Sequence, residues 1–140
     1  MSIRLPLAAA SLVLGLAAIA GPASAQRAFG GYSEQTGKDI YENVCQGCHM
    51  GDAMGAKGAG AYPALAGDKK LASKAYPALV IVRGQKAMPE FGSSLNDTQV
   101  ANVVNYIRSS FGNSFSDQLT AAEVKPLRPA APVGTIRPPG

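Results

Sequence analysis

The sequence predicts an all-α domain of three or more helices, on the strength of three capped, periodic segments. The clearest spans residues 96–110. Asn96-Asp97-Thr98-Gln99 reads as a capping box, with Asn96 as cap and Gln99 at the third helical position. Val100, Val103, Val104, Ile107 and Phe111 then recur on one face, and Gly112 is a candidate C-cap. Thr36 predicts the N-cap of a helix over 37–44, with Asp39 in its first turn, where the helix dipole favours an anion. Gly37, Tyr41 and Cys45 are spaced by four and share a face of that helix. Pro77 and Gly84 bracket a shorter helix over 77–83, with proline at the first position and glycine just past the end. The Gly/Ala-rich stretch 51–60 reads as loop.

These segments fall between Thr36 and Gly112 and predict one small domain. A core of that size is marginal alone, and the chain has no tryptophan. Apolar mass is therefore expected from outside the polypeptide. Residues 26–35 read as an N-terminal extension and 113–140 as a C-terminal one. From Lys125 the chain runs KPLRPAAPVGTIRPPG, which contains proline repeatedly and no acid. That composition is expected to be extended, either as a loose terminus or as an arm lying along a partner.

The N-terminus predicts the compartment. Arg4 precedes an uncharged apolar stretch from Leu7 to Ala20; Gly21-Pro22 breaks it and Ala23-Ser24-Ala25 follows. This is the pattern of a secretory leader, residues 1–25, cleaved after Ala25. The stretch is short beside the roughly 20 residues that span a bilayer. The expected product is a periplasmic chain from Gln26 with no stable membrane insertion. Without Arg4 it carries 12 Lys+Arg against 9 Asp+Glu. That balance is mild, and with no dense basic stripe interleaved with aromatics it argues against nucleic-acid binding. Lys57, Lys69, Lys70, Lys74 and Lys86 lie between the cysteines and Met88. They read as a solvated face or as a positive surface that steers an acidic partner.

Both cysteines and the sole histidine sit in Cys45-Gln46-Gly47-Cys48-His49. Three chemistries compete for them. A redox disulfide of the C-x-x-C type belongs to a strand–helix context, and no alternating strand precedes Cys45. Structural zinc normally takes four ligands, and there is no second ligand pair here. Covalent haem attachment is the reading that Cys-x-x-Cys-His carries. On a helical turn Cys45 and Cys48 share a face, so each thiol can add across one of two vinyl groups on a porphyrin edge. His49 then ligates iron, and its other ring nitrogen is expected to donate to a carbonyl.

With one histidine, a second imidazole from this chain is unavailable to the iron, which leaves a methionine thioether, a lysine amine or an open position. Met50 and Met54 lie too close to His49 to reach the opposite face of a porphyrin. Met88, in KAMPEF, is far enough along the chain to return to it, and Pro89 biases Met88 towards extended backbone. Met88 is the expected sixth ligand; as an alternative it is ordinary core filler. A methionine–histidine pair raises the reduction potential.

At this point the residues resemble the class I c-type cytochromes, specifically their small bacterial monohaem members. The resemblance spans residues 36–112 and implies a cytochrome c fold wrapped round one covalent haem c with its iron. It matches Gly37 and Tyr41 of the first helix to Tyr106 and Val103 of the last, and it contains Cys45, Cys48 and His49 in full. By the same resemblance, Pro63 of Pro63-Ala64-Leu65-Ala66-Gly67 accepts the His49 hydrogen bond, Met88-Pro89 is the ligand loop, and Phe91 packs nearby. Family members that hold a haem propionate with tryptophan have no counterpart here; Tyr62, Tyr76 and Arg83 are the candidate substitutes. The implied function is a periplasmic one-electron carrier, not itself an enzyme. It takes electrons from a dehydrogenase or quinol-oxidising complex and passes them to an oxidase or reductase. The stretches around Pro63 and VVNYIRSSFGN also look like cytochrome subunits of bacterial dehydrogenase complexes. The expected state is thus a monomer or a subunit of such a complex. A haem enzyme or sensor with an open sixth position is the rival.

Overall fold

In a computed structural model the described residues are 31–58 and 60–129. The leader, its cleavage point and the tail from residue 130 lie outside them. The helices are α1 (Gly37–Ile40), α2 (Gln46–His49), α3 (Ala75–Arg83), α4 (Asp97–Ser109) and α5 (Ala121–Val124). A π-turn over Tyr41–Cys45 joins α1 to α2, so the run predicted for 37–44 continues to His49. An α-helix advances ~100° per residue, so eight residues would put His49 ~80° round from Tyr41. The extra residue in the π-turn brings both on to one face. Tyr41 and His49 are both buried.

Thr36 caps α1, its hydroxyl accepting from the Asp39 amide. At α4 the capping box is complete, with Asn96 accepting from the Gln99 amide and Gln99 from the Asn96 amide. The core joins Ile40 and Tyr41 to Val100, Val103, Val104 and Ile107 of α4 and to Ala78, Ile81 and Val82 of α3. Gly37 is where the backbones meet, since a Cβ there would lie 2.1 Å from the Asn102 carbonyl oxygen. Tyr41 then packs on Tyr106 at 5.8 Å between ring centroids and on Phe111 at 4.8 Å. Offset and tilted aromatic pairs of this kind add to simple burial.

Three boundaries differ from expectation. Helix α3 starts at Ala75, which puts Pro77 at its third position. The first-turn amides of a helix have no partner within it, so proline is tolerated there for the reason that favours it at the first position. Helix α4 stops at Ser109, before Gly112. Phe111 and Gly112 both take positive φ (56° and 78°), a reversal that turns the Phe111 ring back on to Tyr41. The 51–60 loop includes the first strand of a small hairpin, β1 (Ala56–Lys57) against β2 (Ala61–Tyr62), antiparallel with Ala56 opposite Tyr62.

The largest departure is the C-terminal extension. Leu119 and Val124 are buried in the same core as the helices before them, so the packed unit continues past Gly112. Asn105 grips Leu119 twice, donating to its carbonyl at 2.9 Å and accepting from its amide at 2.8 Å. Arg108, fully buried, donates to the carbonyls of Leu71, Ala72 and Asp117 and pairs with the Asp117 carboxylate. Residues Lys125–Leu127, expected to be extended, form a 3-10 turn. Pro126 fits its first turn because no amide is needed there and its fixed φ suits the turn.

Two predictions follow from this packing. Gly37→Ala drives a methyl into helix backbone and should destabilise the haem-loaded protein by at least about 2 kcal/mol in denaturant unfolding. The second concerns acid. Lys74 pairs with Glu123 at 2.9 Å and, with hydrogen bonds from Thr120, lowers the Glu123 carboxyl from 4.5 to about 2. Arg108 lowers Asp117 in the same direction by its hydrogen bond. A depressed folded-state value means the stabilisation is whole above pH 4.5 and is lost as pH falls towards about 2. The pair is exposed and its contribution small. Thermal unfolding across that window should therefore show a shallower pH dependence in Glu123→Gln than in the unmodified chain.

Candidate haem site

Cys45 and Cys48 are one turn apart, the first partly buried and the second exposed, and both thiols are free. Burial, with a smaller effect from Cys48, pushes the Cys45 thiol up to about 12. Next along, the His49 ring nitrogen Nδ1 lies 3.0 Å from the Pro63 carbonyl oxygen. A carbonyl only accepts, so Nδ1 carries the hydrogen and Nε2 is left with the lone pair. That is the tautomer a metal requires.

The carbonyl reaches His49 because of the loop between them. Met50 ends α2 with φ 65°, and its carbonyl accepts from the Tyr41 hydroxyl at 2.7 Å and from the Ala53 amide at 3.1 Å. Gly55, at φ 67°, lets the chain cross the Pro63 segment; a Cβ there would sit 2.2 Å from the Tyr62 carbonyl oxygen. The Ala53 carbonyl then accepts from the amides of Leu65 and Ala66. From the far side, buried Asn113 donates to the carbonyls of Leu65 and Ile107, both at 2.8 Å. Asn113 was not legible as a site residue. Its only signal is an amide side chain just after Gly112, the glycine expected to close the helix.

Met88 stands on a different turn. Its amide donates to the Gln85 carbonyl at 2.9 Å and its carbonyl accepts from the Gln85 amide at 3.0 Å, with Lys86 at φ 55° between them. Gly84 lets this turn fold back, since a Cβ there would meet the Met88 carbonyl oxygen at 2.8 Å. The Phe91 amide donates to the Ile81 carbonyl of α3 at 2.8 Å, anchoring the exit. Met88 and Phe91 are half-buried against the core, whereas Met54 is 62% exposed. Met50 is committed to the end of α2.

The substitutes considered for tryptophan are placed as follows. Arg83 donates to the Leu127 carbonyl, the Tyr76 hydroxyl lies 3.5 Å from Gln85 Oε1, and Tyr62 lies exposed on β2. Lys57, Lys69, Lys70 and Lys86 are exposed, but Lys74 is taken up by Glu123 and the Gln118 carbonyl.

These residues fit a haem. Val44, Cys45, Leu65, Ala66, Met88 and Phe91 are among the half-covered apolar side chains packed against the core. The chain offers two free thiols, an imidazole with a free Nε2 and a half-buried thioether. Among the described residues no three His, Cys, Asp or Glu side chains converge as metal ligands would. The fold and site together define a small helical domain completed by a covalently held porphyrin.

Comparison with known proteins agrees. The family model described as "Cytochrome C oxidase, cbb3-type, subunit III" matches residues 33–107. The chain is 37% identical over 110 residues to a gluconate 2-dehydrogenase cytochrome c subunit of Pantoea cypripedii, covering 70% of this chain and 25% of that one. It is 34% identical over 122 residues to an alcohol dehydrogenase (quinone) cytochrome c subunit of Gluconacetobacter polyoxogenes, covering 77% and 26%. It is 33% identical over 107 residues to a fructose dehydrogenase cytochrome subunit of Gluconobacter japonicus, covering 66% and 22%. The chain spans about a quarter of the length of these relatives. It belongs to this cytochrome c family, whose prosthetic group is covalently bound haem c with iron.

Asn113→Ala should leave two buried carbonyls short of a donor and cost about 2 kcal/mol in guanidinium unfolding of the haem-loaded protein. Asn113→Asp should cost no less, because it offers a carboxylate to the same carbonyl oxygens.

Proposed function

We propose that this chain is a periplasmic one-electron carrier. In it Cys45 and Cys48 would hold haem c through two thioethers, and His49 Nε2 and the Met88 sulfur would be the side chains that bind its iron. The observation that carries the proposal is the His49 Nδ1–H bond to Pro63, which leaves Nε2 as a metal donor within Cys-x-x-Cys-His. When bound, the haem supplies one-electron exchange at a single iron. The chain's own residues decide what else is possible. Pro63 fixes the imidazole and strengthens it as a donor. Met88, as a thioether, favours the reduced metal and raises the potential. With His49 and Met88 both given to the metal, no open position would be left for substrate, so the chain would transfer electrons without itself being an enzyme. The exposed lysines orient encounters with acidic redox partners.

The names of the relatives support a second form of the same reading, a cytochrome subunit of a dehydrogenase complex. In either form the redox partners are a dehydrogenase or quinol-oxidising complex on one side and an oxidase or reductase on the other. Among the described residues no helix is long and apolar enough to cross a membrane.

The intact mass of the exported protein should equal residues 26–140 plus one haem. Met88→Ala should abolish the methionine–iron charge-transfer band at the red end of the ferric spectrum. It should also lower the potential and let carbon monoxide bind the ferrous form rapidly. An unaltered spectrum and potential in that variant would remove Met88 from the iron.

A further inference from the structure

The extension after Asn113 reaches both stems of the loop that carries Met88. On the incoming stem, Arg83, the last residue of α3, donates from Nε to the Leu127 carbonyl at 2.9 Å. On the outgoing stem, the next residue, Arg128, donates to the Gly92 carbonyl, to the Leu95 carbonyl at 2.8 Å and to Asp97 Oδ1 at 2.5 Å. Two consecutive residues of the extension thus tie residue 83 to residues 92–97, closing the base of the loop between them. Within that loop Gln85, Lys86, Ala87, Pro89 and Glu90 are all exposed. It is held by the Gln85–Met88 backbone pair and by Phe91 on Ile81. The base is tight: a Cβ on Gly92 would lie 2.5 Å from the Val82 carbonyl oxygen. A small opening of the outgoing stem would therefore shift Met88 with it.

The chemistry at the base suits arginine. Three acceptors, two carbonyls and a carboxylate, surround one planar fork with five donors. A lysine ammonium can pair with Asp97 but lacks the flat, spread donors that reach both carbonyls as well.

We infer that Arg128 is a positioning residue for Met88, holding the loop base closed so that the thioether stays on the metal. This rests on the proposed Met88 ligation. The position of the loop acts as a two-state equilibrium: any fraction of time with the methionine displaced appears as added affinity for a competing ligand.

The test titrates the ferric haem-loaded protein with imidazole and follows amide hydrogen exchange at Met88 in the same samples. Arg128→Ala should bind imidazole about tenfold more tightly, the equivalent of one lost charge-assisted hydrogen bond, and should exchange the Met88 amide faster. Arg128→Lys should fall between Arg128→Ala and the unmodified chain, and it carries the test if the alanine variant fails to mature. Lys74→Ala loosens the same extension at Gln118 and Glu123, away from the loop base. It should lower thermal stability yet leave imidazole affinity and Met88 exchange unchanged. Arg128 variants that behave like Lys74→Ala in both readouts would overturn the inference. If the unmodified protein lacks the methionine–iron band, it is the ligation reading that fails. Exchange at Met88, which needs no axial ligand, then still decides whether Arg128 holds the turn.

Discussion

The hydrogen bond between His49 and Pro63 is the constraint on which the rest of the site depends. An imidazole free to rotate and to exchange tautomers is a poor permanent ligand, and a carbonyl on Nδ1 removes both freedoms at once. The carbonyl must itself be held still. Ala53 takes the Leu65 and Ala66 amides on one side and Asn113 donates to Leu65 on the other. Gly55 permits the close crossing that brings the two strands of this loop together. The residues that aim His49 are therefore spread over more than 60 positions of the chain, from Met50 to Asn113.

The second constraint is the phase of the first helical run. Tyr41 has to face Tyr106 and Phe111 while His49, eight residues on, turns inward as well. A regular α-helix does not align those two positions, and the π-turn over Tyr41–Cys45 does. Gly37 allows this run to lie against α4 with backbone in contact. The aromatic cluster and the cysteine motif are thus oriented by the same irregularity.

The C-terminal extension supplies further bracing. Arg108 is a buried charge, tolerable because three carbonyls and a carboxylate meet its guanidinium. It joins α4 to the turn before α3 and to Asp117. Asn105, Lys74, Arg83 and Arg128 continue the seam to the end of the described chain. Along this seam polar side chains, most of them on backbone carbonyls, join the extension to the helices.

Much of this was legible from local chemistry. Cys45, Cys48 and His49 could be read together because their spacing alone sets which side chains share a turn. The caps at Thr36 and Asn96 could be read because a capping bond spans only three residues. The Gly37, Tyr41 and Tyr106 contact was legible through family resemblance, and so was the bond to Pro63. What the sequence by itself determined, then, is the all-α class, the haem c chemistry and the start of the longest helix, each written within a few neighbouring residues. The tertiary structure alone decided the π-turn, the reversal at Phe111, the contacts of Asn113, Arg108 and Arg128, and the folding of residues 113–128 on to the core. Those depend on carbonyls and apolar surface brought together from distant positions, and a backbone carbonyl leaves no mark in the order of side chains.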